Sequence, residues 1–87
     1  MRLNGSLILE GRNVNKARVE CEITGVSFHD RFEEAFITLC KELDISVPIW
    51  LDKNTKEIAM SKKTSFYEDQ FDDDFLFDRF EMRIDKL

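Results

Sequence analysis

Apolar and polar residues alternate along two stretches of this 87-residue chain and recur at helical spacing along a third. Residues 16–24 place Ala17, Val19, Cys21 and Ile23 on one side and Lys16, Arg18, Glu20 and Glu22 on the other. That period of two is the mark of a half-buried strand. Phe80, Met82 and Ile84 alternate with Arg79, Glu81, Arg83 and Asp85 in the same way and predict a strand over 76–85. Between these stretches, Phe28, Phe32, Ala35, Phe36, Leu39 and Leu43 recur at steps of three and four. At about 100° per residue these six side chains share an arc of roughly 100°. Glu33, Glu34 and Lys41 lie opposite, with Ile37 as an apolar exception. The spacing predicts an amphipathic helix over about 28–44, capped by Ser27, with Asp30 favouring its positive end.

The remaining segments read from turn chemistry and shorter patterns. Residues 2–10 predict a strand with Leu3, Leu7 and Leu9 on one face and a bulge at Gly5, followed by a turn over Gly11–Asn15. Pro48 biases Val47 away from helical geometry, so 45–51 reads as a loop. Val47, Ile49, Trp50 and Leu51 make that loop apolar enough to lie against the core. A short second helix is expected over about 53–61, capped by Asp52 or by Asn54, the latter favoured by Glu57 at capping-box spacing. Lys63–Glu68 reads as a strand with Thr64 and Phe66 on one face, and Asp69–Asp74 as an acidic turn around Phe71. The order ββα(α)ββ predicts an α+β domain spanning 1–87, with a four-stranded, mainly antiparallel sheet carrying the long helix on one face.

Charge changes this picture at one end. Residues 64–87 hold eight acids against three bases, and so the whole net charge of −5, together with five of the eight phenylalanines. Phe66, Phe71 and Phe80 are expected in the core. If Phe80, Met82 and Ile84 face the helix, Phe77 and Ile8 face away from it. The candidate interaction surface is therefore Tyr67, Asp69, Asp72, Asp73, Asp74, Phe75 and Phe77, with Ile8 on the far face. A net negative charge disfavours nucleic acid, and apolar runs such as Leu7–Leu9 are far short of a membrane span. Residues 1–6 lack the apolar stretch of a secretory signal, so a cytoplasmic setting is expected, with Cys21 and Cys40 reduced.

Chemistry is sparse. His29 is the single histidine, and on one helix it stands about 16 Å from Cys40, too far for a nucleophile and its base. The strand pattern turns Cys21 toward the core. Asp69–Asp74 lacks the alternating ligands, turn glycine and terminal glutamate of a calcium loop. Lys53, Lys56, Lys62 and Lys63 read as a solvated basic face. No catalytic residue, cofactor or metal site is expected. The words Val47-Pro48-Ile49-Trp50, Thr64-Ser65-Phe66, Asp69-Gln70-Phe71 and Phe77-Asp78-Arg79-Phe80-Glu81-Met82-Arg83-Ile84 resemble a group of small bacterial proteins of unknown function. That resemblance covers the second half of the chain and implies a compact small domain, with no activity or site to carry over. The expected function is a non-catalytic protein–protein interaction module, binding a protein partner or itself as a homo-oligomer. The alternative is an acidic inhibitor or immunity-type protein that captures a basic enzyme such as a nuclease. An enzyme would require acids and His29 to converge in a groove.

Overall fold

The computed structural model describes residues 1–22 and 28–85. Strands β1 (Arg2–Leu9), β2 (Arg12–Glu20), β3 (Lys63–Phe66) and β4 (Arg79–Asp85) form one antiparallel sheet in the order β2-β1-β4-β3. Helices α1 (Phe28–Glu42) and α2 (Asp52–Ser61) come between the two strand pairs. The fold is the expected α+β arrangement, ββααββ. Ile23, Gly25 and the Ser27 cap lie outside the described residues.

The first hairpin closes sooner than its turn residues suggested. Glu10 and Gly11 both have positive φ, 53° and 76°, which is the two-residue turn that matches strand twist. Arg12–Asn15 therefore pair as strand instead of forming the turn. The bulge is not at Gly5. Gly5 pairs regularly with Ala17 and Met82, and the register shifts between Leu7 and Ile8, where Val14 is the extra residue on β2. Gly5 has another cause. A Cβ built there would stand 3.0 Å from Leu39 Cδ2, Leu43 Cδ1 and Phe80 Cε1, so its missing side chain lets α1 lie close to the sheet.

The core lies between the sheet and the C-terminal half of α1. Leu3, Leu7, Phe66, Phe80 and Met82 meet Ala35, Phe36, Leu39, Cys40 and Leu43. The expected six-residue stripe is thus buried only from Ala35 onward, because Phe28 and Phe32 border an open groove between α1 and α2. Phe32 is half-buried and Phe28 is 48% exposed. Asp44, at φ 56°, ends the helix in the left-handed conformation, and its N–H donates to Lys41 O at 3.0 Å.

The second half departs from expectation at three junctions. Helix α2 begins at Asp52, so Asn54 is its third residue and not its cap. Strand β3 ends at Phe66, and the chain turns into a 3₁₀ turn over Glu68–Gln70. Strand β4 starts at Arg79, which leaves Phe77 in the connection before it. The early end of β3 traces to one residue. Gln70 is buried, donates to Ile49 O at 3.0 Å and accepts from Tyr67 N at 3.1 Å, which bends 67–70 away from the sheet.

Candidate functional site

The apolar loop 45–51 is held as a strap between α1 and the 3₁₀ turn. Ile45 N donates to Cys40 O at 3.0 Å, Ile49 N to Gln70 O at 2.6 Å, and Leu51 N to Asn54 Oδ1 at 2.9 Å. This extended path alternates its side chains. Pro48 is buried, and Trp50 sets its ring edge-on to Phe32 and Phe36 at 5.6 and 5.5 Å. Trp50 Nε1 donates to Thr55 Oγ1 at 2.8 Å, which satisfies its one polar atom and ties the strap to α2. Val47, Ile49 and Leu51 point outward and are exposed.

Between the strap, α1 and α2 runs a groove of about 520 Å³, lined by Phe28, Phe32, Val47, Pro48, Trp50 and Ile58 among others. Its volume falls in the range of about 300–1,000 Å³ common to ligand pockets. The lining is apolar, and the ionisable groups at its rim are His29 and Glu33, whose Nε2 and Oε2 stand 3.6 Å apart. Val47 is 46% exposed at its edge, as Phe28 is at its mouth.

The acidic aromatic segment divides inward and outward. Phe71 and Phe75 stack at 4.0 Å with their planes 3° apart, both buried, and Phe77 meets Phe75 edge-on at 5.5 Å. Phe75 therefore belongs to the core and offers no contact surface. Phe77 is half-buried against the same cluster. Ile8 is also buried, although its strand position faces away from α1, so it is not a patch on the far face. Tyr67 remains 45% exposed, with Lys53 Nζ 4.7 Å from its ring centre. Asp69, Asp73 and Asp74 line one shallow depression with Tyr67, and Asp72 is exposed outside that lining. Asp73 Oδ1 accepts from Ser46 Oγ at 2.7 Å. Asp78, absent from the expected surface, accepts from Glu10 N at 2.8 Å and so holds the first hairpin turn.

The open face of the sheet collects charge that the linear order keeps apart. Arg18, Asn4, Arg83 and Lys63 form one row across the four strands, and Lys16, Ser6, Glu81 and Ser65 form the next. Arg2 bridges Asp85 at 2.7 Å and Glu20 at 3.7 Å, and Arg79 bridges Glu81 at 3.8 Å. The hydrogen bond from Arg2, helped by one from Asn4, holds the Asp85 carboxyl below the usual carboxylate range.

The two free thiols differ in setting, and Cys21 is half-buried with its Sγ donating to Arg31 O at 3.9 Å. Cys40 is buried, and burial pushes its thiol up to about 12. His29 lies far out in solvent on α1. Among the described residues no group of three or more His, Cys, Asp or Glu side chains is placed to hold a metal ion. No described helix is long and apolar enough to cross a membrane. The groove and the basic sheet face were not expected from sequence, because both depend on which elements become neighbours. Scans of family models, curated proteins and solved structures each found no match to this chain.

Proposed function

We propose that the protein is a non-catalytic protein-interaction module whose principal contact is the groove between α1, the strap and α2. The observation that carries this reading is the exposed apolar lining, with Phe28 at its mouth and Val47 at its edge beside a rigid Trp50. An apolar groove between two helices suits the apolar face of an amphipathic segment, which inserts side chains at helical spacing. Phe32 and Trp50 supply the aromatic anchoring that dominates binding energy at such sites.

The test is photocrosslinking in the cells that make the protein, with benzoylphenylalanine placed at Val47 or, as controls, at Glu42 and Lys56. The expected result is one discrete adduct from position 47, lost when Phe28→Glu is added, with the melting temperature unchanged. Equal labelling from the control positions, or no discrete adduct, refutes the groove as the contact. If the adduct is a second copy, sedimentation must also show concentration-dependent association.

A second reading rests on the exposed carboxylates of Glu68, Asp69, Asp72 and Asp74, which have no basic partner within ion-pair distance among the described residues. These groups suit capture of a cationic enzyme. Such capture weakens steeply with salt. Failure to retain a basic nuclease at low ionic strength removes that reading.

A further inference from the structure

The open sheet face carries a charge opposite to that of the whole molecule. Its strand positions hold six bases (Arg2, Lys16, Arg18, Lys63, Arg79 and Arg83) against three acids, Glu20, Glu81 and Asp85. That face is +3 in a chain whose total is −5, so the remainder carries −8. Each of the three acids is engaged by Arg2 or Arg79, and Lys16, Arg18, Lys63 and Arg83 have no carboxylate within ion-pair distance among the described residues. Lys63 and Arg83 are direct cross-strand partners. Like charges so placed destabilise a sheet, and an anion lying over them would remove that cost.

The surface there is concave. A trough of about 590 Å³ runs along β1, floored by the short residues Asn4, Gly5 and Ser6. Lys16 and Arg18 rise from β2 on one side, with Arg83 and Glu81 from β4 on the other. The walls are two strand spacings apart, roughly 9–10 Å, which accommodates one extended chain. Lys16 and Arg18 repeat at about 6.7 Å, as alternate side chains do on an extended peptide. Among the described strand positions of this face there is no aromatic side chain on which bases could stack, as single-stranded nucleic acid binders require. The acidic remainder of the molecule also opposes a long polyanion.

We propose that this trough is a second binding surface, independent of the apolar groove, that takes an extended acidic segment of another protein. Arg18 and Arg83 clamp its carboxylates from the two sides, and Lys16 and Lys63 extend the positive field along and across it.

The test is an NMR titration of the isotope-labelled protein with an acetylated octaglutamate peptide, and separately with an eight-nucleotide thymidine oligomer. Peptide should move the amides of Asn4, Ser6, Arg18 and Arg83. Affinity should fall about tenfold in Arg18→Ser/Arg83→Ser, which at ~1.4 kcal/mol per decade corresponds to two exposed ion pairs. Phe28→Glu/Val47→Glu should leave the titration unchanged, which separates this surface from the groove. Shifts centred on Lys53 and Lys56, or tighter binding of the oligonucleotide, would overturn the proposal. So would dilution-dependent shifts of the same amides without peptide, which would make a second copy's acidic 68–74 segment the occupant.

Discussion

Asn54 offers the sharpest test of how this small domain is held together. Its side-chain amide is fully buried and makes four hydrogen bonds. Oδ1 accepts from Leu51 N at 2.9 Å and from Gln70 Nε2 at 3.0 Å, and Nδ2 donates to Thr64 Oγ1 at 2.7 Å and Ser65 O at 3.1 Å. One side chain thus joins the strap, α2, β3 and the 3₁₀ turn. In Asn54→Ala, Gln70 keeps Ile49 O and Thr64 keeps Glu57 Oε1. The Leu51 N–H and the Ser65 carbonyl lose their side-chain partner. A stranded buried group costs about 1–3 kcal/mol; both groups here are part-buried, so the low end for each and a small void predict a loss of roughly 3 kcal/mol. Total stability for such a domain is about 5–15 kcal/mol, and each kilocalorie moves Tm by about 4–8 °C at this size. Calorimetry should therefore show a fall of at least about 12 °C. Asn54→Asp separates hydrogen bonding from volume. It keeps an acceptor for Leu51 and Gln70 but turns a second oxygen toward the Ser65 carbonyl. Burial raises the folded pKa of that carboxyl, so its stability should be greatest at low pH and decline as pH rises through the folded value. An alanine variant within about 1 kcal/mol of the parent, or an aspartate variant indifferent to pH, would refute the reasoning, since buried stranded groups cannot be that cheap.

Three further outcomes follow from the same packing. Gly5→Ala should lose about 1–2 kcal/mol in urea unfolding, because overpacking at three contacts outweighs the entropic gain of replacing glycine; a higher midpoint would contradict the close helix approach. Iodoacetamide at pH 8 should leave Cys40 unmodified by mass spectrometry until denaturant is added, and labelling of the native protein there would show that α1 is not seated as described. Asp85→Asn should destabilise at neutral pH. Because the folded Asp85 pKa is depressed, its contribution is present above the ordinary carboxylate value and lost as pH falls through the folded one. The two proteins should therefore converge in acid, and a gap that widens on acidification would show the Arg2 pairing to be incorrect.

Element identities were legible in the sequence because the patterns that encode them are local. Alternation in 16–24 and 76–85 and the three-four spacing of 28–44 need only a dozen neighbouring residues to be seen. Boundaries were less legible where a distant partner decides them. Gln70 bends the end of β3 through Ile49, and the Glu10–Gly11 turn draws Arg12 into the ladder because Leu9 is there to pair with it. Strand order was not readable from spacing, and with it went the sheet face. Lys16, Arg18, Arg79 and Arg83 visibly share the polar side of their strands, yet nothing local says that β1 lies between β2 and β4. The acidic segment misled for the converse reason. Its aromatics and carboxylates are interleaved in sequence, but Phe71 and Phe75 turn inward as one stacked pair while their acidic neighbours turn out.

The central pairing of β1 with β4 also bears on how the chain can acquire its structure during synthesis. Arg2 lies opposite Asp85, so the sheet joins residues separated by 83 positions along the chain. At about 5–20 residues per second, the β1–β2 hairpin waits roughly 3–13 s before the last residue of β4 follows. Throughout that interval Leu3 and Leu7 lack the neighbour that completes their cover. Everything from β1 through β4 must be present before the middle of the sheet exists, which marks this as a slow-folding topology. Nascent chains stalled before residue 79 are thus the form most exposed to chaperones and to wrong strand partners.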